Sequence, residues 1–169
     1  MDTLVKTAVA TIIIGVTATL VIDIWGYARK PLLGVSAPNY GLVGRWIAHM
    51  RHGQFHHAAI ARSPPVRGEH LLGWVAHYLI GIVFAAFLIA LTGQRWLLVP
   101  ALAPALIVGI LTVAAPFLLM QPGMGMGIAA AGTPQPGTAR LHSLLTHTIF
   151  GLGLYLGGLL AQKLNVIPL

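Results

Sequence analysis

From Trp96 to Ala139 the chain runs 44 residues without a lysine, arginine, aspartate or glutamate. No water-facing surface is built from such a stretch, and hydrocarbon is the solvent that suits it. A bilayer core about 30 Å thick is crossed by roughly 20 helical residues rising about 1.5 Å each. The run is too long for one crossing, and Pro116, Pro122, Pro134 and Pro136 punctuate it. It predicts a helix over 97–120 and a Gly/Pro/Met loop over 121–138, after which a further helix runs over 139–162. Two earlier apolar runs predict helices over 4–27, interrupted only by Lys6 and Asp23, and over 70–93, with His77 inside. The fold class is all-α: a polytopic membrane protein with four transmembrane helices in a single membrane domain, 1–169. Asp23, Trp25, Tyr27 and Arg29 stand where a signal-peptide cleavage site needs small residues, so the first helix is read as retained.

The composition agrees. Ten Lys+Arg and three Asp+Glu in 169 residues, with 57 % hydrophobic side chains, fall far below the roughly 25 % charge of soluble domains. An ordinary soluble globule, a disordered chain and a nucleic-acid binder are poor fits. The absence of cysteine removes disulfides, thiolate metal sites and cysteine nucleophiles. The net charge of +7 reads as a topology signal. Arg29, Lys30, Arg45, Arg51, Arg62 and Arg67 lie in the long loop 28–68 and Arg140 beside the second loop, against Lys6, Arg95 and Lys163 on the other side. Basic residues concentrate in cytoplasmic loops, so both long loops are expected in the cytoplasm and both termini in the periplasm.

Within the first loop, Tyr40, Val43, Trp46, Ile47 and Met50 recur at helical spacing while Arg45, His49, Arg51 and His52 fill other angles. This predicts an amphipathic interfacial helix within 39–52, its apolar face turned to the membrane or the bundle. A partner-docking surface is the alternative use. His49, His52, His56 and His57 are spaced for either lipid phosphates or a metal. In the second loop the thioethers of Met120, Met124 and Met126 read as apolar filling, with Cu(I) the metal that such groups beside imidazoles would select.

Small or polar residues every fourth position mark helix faces that pack in lipid. Three rows appear: Thr7, Thr11, Gly15, Thr19, Asp23; Glu69, Gly73, His77, Gly81, Ala85; and Ser143, His147, Gly151, Tyr155. Gly153 and Gly157 give the last helix a second small-residue surface. Counted from the helix ends, Asp23, His77 and His147 are expected in one layer roughly 6–10 Å below the interface. Glu69, His70, His142 and Gln121 are expected at its rim. Ionisable groups in a bilayer cost at least a few kcal/mol each, which makes these seven the candidate ligand- or proton-binding residues. His77, His147, Asp23 and Glu69 are the candidate metal ligands. No hydrolase, metalloprotease, nucleotide or dinucleotide motif occurs, so no catalytic residue is named and the chain leans away from enzymes.

Three readings follow: a site that binds or relays a proton, ion or small ligand; a scaffold or assembly factor with a structural polar core; and a haem or metal redox protein. The cofactor is left unknown. Partners are the lipid bilayer, with a second copy or another membrane protein as further candidates, and no nucleic acid.

GLVGRW at 41–46, PPVRGE at 64–69, GWVAHYLIG at 73–81, TVAAPFLLMQPGMGMG at 112–127 and RLHSLLTHTIFGLGLYL at 140–156 together resemble the bacterial integral membrane protein family termed domain of unknown function 2938. The resemblance covers nearly the whole chain. It implies a small polytopic protein of the bacterial cytoplasmic (inner) membrane and carries no assigned activity.

Overall fold

The computed structural model describes residues 2–167. Among them the secondary structure is helical throughout: α1 (Thr3–Leu33), α2 (Tyr40–Met50), α3 (Glu69–Thr92), α4 (Arg95–Leu98), α5 (Leu102–Leu111), a π-helical turn (Pro116–Met120), α6 (Gln121–Gly123) and α7 (Pro136–Lys163), with short 3-10 turns at Ile60–Arg62 and Ile128–Ala130. Four helices, Thr3–Leu33, Glu69–Thr92, Leu102–Gly123 and Pro136–Lys163, are long and apolar enough to cross a membrane. Large apolar side chains lie exposed along all of them, among them Ile24, Leu79, Ile107 and Leu160. In water such a surface would drive association; against acyl chains it is the matching surface.

The helix ends depart from expectation in instructive ways. The first helix continues past 27 to Leu33, through Arg29, Lys30 and Pro31. Proline there removes a single hydrogen bond close to the helix end. Gly34, at φ 69°, then closes the helix with its N–H on the Lys30 carbonyl. Arg29 is buried and donates to the Ser36 carbonyl at 2.7 Å, which holds the exit. The helix expected over 97–120 is broken and extended. Val99 precedes Pro100, where the helical conformation is disfavoured, and leaves it at φ -137° and ψ 81°, separating α4 from α5. Pro116 cannot donate to Thr112, whose carbonyl accepts instead from Ala115 N–H at 3.1 Å, and the helix widens into the π turn. The last helix begins at Pro136, three residues early, because proline suits the first turn, where no N–H partner exists.

The described residues divide into two compact units, 2–37 with 78–111 and 146–167, and 38–77 with 112–145. The first holds the apolar core, including Ile14, Leu88, Trp96, Leu97, Phe150 and Leu154. Its helices meet where side chains are smallest. A Cβ on Gly15 would come within 2.5 Å of the Ile82 backbone, and one on Gly81 would strike the Thr19 hydroxyl. Gly15 and Thr19 of the first predicted row therefore pack on Gly81 of the second. Gly151 of the third row lies against Gly109 of α5, and the second surface of α7, Gly153 and Gly157, lies on Ala18 and Ile14 of α1.

In the second unit α2 confirms the expected helix, capped by the Asn39 side chain accepting from Gly41 N–H at 3.0 Å. Its best-buried face differs from expectation. Gly41, Gly44, Ala48 and His49 are buried, while Tyr40, Val43, Trp46, Ile47 and Met50 are only partly covered. Backbone contact explains it: a Cβ on Gly44 would meet the Glu69 carbonyl, and one on Gly73 the Tyr40 carbonyl. α2 thus lies directly on the first turns of α3.

Candidate functional site

Three arrangements in the second unit involve side chains of α2, two of them tying it to α3 and one to the Gly/Pro/Met loop. The first is an ion pair. Arg45 Nε and Nη2 donate to Glu69 Oε2 and Oε1 at 2.8 and 2.7 Å, a two-pronged fork, and Arg45 Nη1 donates to the Ser63 carbonyl at 2.9 Å. Glu69 Oε2 also accepts the Val66 N–H at 2.8 Å. The two side chains are 12 % and 10 % exposed. The carboxylate beside it raises the Arg45 guanidinium above its ordinary value, so the cation is permanent.

The second arrangement is aromatic. Tyr40 stacks on His77 with ring centroids 4.0 Å apart and packs against Trp74 at 4.7 Å. Trp74 meets His77 edge-on at 5.9 Å.

The third joins α2 to the Gly/Pro/Met loop. His49 Nδ1 lies 2.8 Å from His57 Nε2, and both residues are buried. His57 N–H donates to the Gly123 carbonyl at 2.9 Å, and Ile60 N–H to the Met124 carbonyl at 3.1 Å. Trp46 covers Gly123, where a Cβ would come within 2.7 Å of its ring, and its Nε1 donates to the Phe55 carbonyl at 2.9 Å. The loop is therefore tightly packed against this segment.

The predicted residues fall as follows. Glu69 is paired with Arg45, and the His70 ring lies against Gly41. His77 is in the aromatic group. Gln121 is buried, its Nε2 3.5 Å from the Ser143 hydroxyl and its Oε1 without a hydrogen-bond partner. His142 is half-buried on α7, next to Ser143. In the first unit, Asp23 Oδ2 accepts the Tyr78 hydroxyl at 2.9 Å, and the His147 ring meets Phe150 edge-on at 6.5 Å. Among the described residues, no three or more His, Asp or Glu side chains form a group able to hold a metal.

Sequence reasoning missed the role of Arg45, which it counted as a topology charge and as part of the polar face of the amphipathic helix, and Tyr78, which no pattern marked. One signal bore on the first: a chain with three acids, one of them at a helix start, leaves few carboxylates for its arginines to bind. Tyr40 was assigned to an apolar face, although its ring serves His77.

Residues 12–161 match the model of the family described as Protein of unknown function (DUF2938), and the chain belongs to that family. Comparison with curated proteins and with solved structures finds no match.

Proposed function

We propose that this DUF2938 member is a multi-pass protein of the bacterial inner membrane that binds and relays protons through polar side chains within its spans. The observation that carries this reading is the hydrogen bond from the Tyr78 hydroxyl of α3 to the Asp23 carboxylate of α1 at 2.9 Å. Both residues lie inside helices long and apolar enough to cross a membrane. An ionisable side chain within a membrane span is costly, usually pairs inside the protein and is by default a functional-site candidate. A phenol can donate to the carboxylate or accept from the carboxylic acid, which keeps both states hydrogen-bonded. Protons need no cofactor.

Purified protein in vesicles containing a pH-sensitive dye tests this. Wild type is expected to dissipate an imposed pH gradient, Asp23→Asn to fall to the rate of protein-free vesicles, and Tyr78→Phe to fall between. Wild-type vesicles no leakier than empty ones would overturn the proposal.

A second reading, a scaffold with a structural polar core, is favoured by the Arg45–Glu69 fork, which uses its carboxylate for a fixed contact. On that reading Asp23→Asn lowers thermal stability and changes no flux.

The basic loops support a cytoplasmic side for 28–68 and 121–138, with both termini periplasmic. Reporters active in one compartment only, fused to the C-terminus, are expected to signal from the periplasm; cytoplasmic activity would reverse the orientation.

A further inference from the structure

We propose that His49 and His57 form a two-coordinate site for Cu(I). The site shares no residue with the Asp23–Tyr78 pair and goes beyond the proton reading. His49 sits on the buried face of α2, and His57 in the segment joining that helix to the 3-10 turn at Ile60. They are only 8 % and 9 % exposed. With His49 Nδ1 and His57 Nε2 2.8 Å apart, one nitrogen carries a proton and the other offers a lone pair.

The surroundings decide which. His57 Nδ1 faces the Gly123 carbonyl at 3.4 Å, and the backbone N–H of the same residue donates to that carbonyl at 2.9 Å. The carbonyl favours a proton on His57 Nδ1 and so leaves the Nε2 lone pair aimed at His49. An imidazole whose far N–H is held by a backbone carbonyl is the outer-shell arrangement of a metal-bound histidine. When the metal binds, His49 changes tautomer, Nδ1 giving its proton to water while Nε2 takes one from water so that the ring stays neutral, and His49 Nδ1 and His57 Nε2 each form one bond to the ion. No electron is transferred. With metal–nitrogen bonds of about 2.0 Å, the two nitrogens must part to roughly 4 Å. Rotation of the His49 ring is the movement that supplies this separation.

The donor set selects the metal. Zinc takes four ligands in structural sites and three plus water in catalytic ones, and among the described residues no third His, Asp or Glu joins this pair. The one acid of the unit, Glu69, is committed to Arg45, so no carboxylate offsets the second charge of a divalent ion. Two imidazoles suffice for a closed-shell monovalent ion. The loop bonded to this segment carries Met124 and Met126, and thioethers favour the same soft ion. His52 is occupied otherwise, accepting from Arg51 Nε at 3.0 Å.

The test is anaerobic titration of the full chain in detergent with Cu(I), against a chromophoric chelator that competes for it. One copper per chain is expected. His49→Ala and His57→Ala should each weaken binding by at least about 100-fold, the scale of ligand-support effects at metal sites. His52→Ala with His56→Ala should leave it unchanged. X-ray absorption on wild-type protein keeps the question decidable if a variant fails to fold: two nitrogen ligands are expected, and a copper without histidine nitrogen would overturn the site. Failure of wild type to hold copper against the chelator would also overturn it, as would equal retention in the His49→Ala/His57→Ala double variant. None of these results depends on proton flux, so the site stands or falls separately from the function proposed above.

Discussion

Replacing Arg45 with alanine is expected to destabilise the protein by about 2–4 kcal/mol, approaching the range for breaking a buried ion pair because both side chains are nearly covered. The guanidinium does three things at once. It neutralises Glu69 through two parallel hydrogen bonds, anchors the Ser63 carbonyl, and thereby holds the turn that leads into α3. Truncation leaves the carboxylate with the Val66 N–H alone. Arg45→Lys should recover little of the loss, since one ammonium cannot reproduce the planar fork and the third contact together. Thermal unfolding in detergent measures all three proteins. A change below about 1 kcal/mol for Arg45→Ala, the scale of exposed pairs, would mean that the contact is loose in solution. The double variant Arg45→Ala/Glu69→Gln should be more stable than Arg45→Ala alone, because it removes the orphaned charge as well as its partner.

The spans were legible in the sequence because hydrocarbon imposes one rule, few charges over about 20 residues, and it leaves a visible trace. The rows of small residues were legible for a related reason. Gly15, Gly81 and Gly151 are spaced for backbone contact and make it. Helix ends were less so. Proline ends a helix at Pro100 but is carried inside one at Pro31, and the difference lies in how near the helix end it falls, which local sequence does not state. Partners were the least legible. Arg45 and Glu69 are 24 residues apart, and Asp23 and Tyr78 are 55 apart. Their meeting depends on which helices cross and at what height. Periodicity can say that a side chain faces inward, but not which side chain it faces. The face of α2 shows the same limit: its large apolar residues stood out, whereas the buried contact is made by glycines and an alanine that carry little hydrophobic signal.

That contact leads to the second large effect. Gly44→Ala would place a methyl group on the Glu69 carbonyl, and Gly73→Ala one on the Tyr40 carbonyl. Neither neighbour is a side chain that can rotate away, so α2 and α3 must move apart. Overpacking of this kind costs about 1–3 kcal/mol, and rigid backbone on both sides places each variant at the upper end. The two substitutions act on one gap. Once the helices have separated for the first methyl, most of the room for the second exists, and the double variant should cost little more than either single. Separation also draws Glu69 away from the Arg45 fork, so Gly44→Ala and Arg45→Ala should be less than additive. Gly137→Ala is the control. Nothing lies within 4 Å of a Cβ there, and in the first turn of α7 alanine should be neutral or stabilising by up to about 1 kcal/mol through its better helix propensity. Tm shifts in detergent measure the whole set. Full additivity of Gly44→Ala with Gly73→Ala would refute a shared backbone contact and place the two glycines in independent environments.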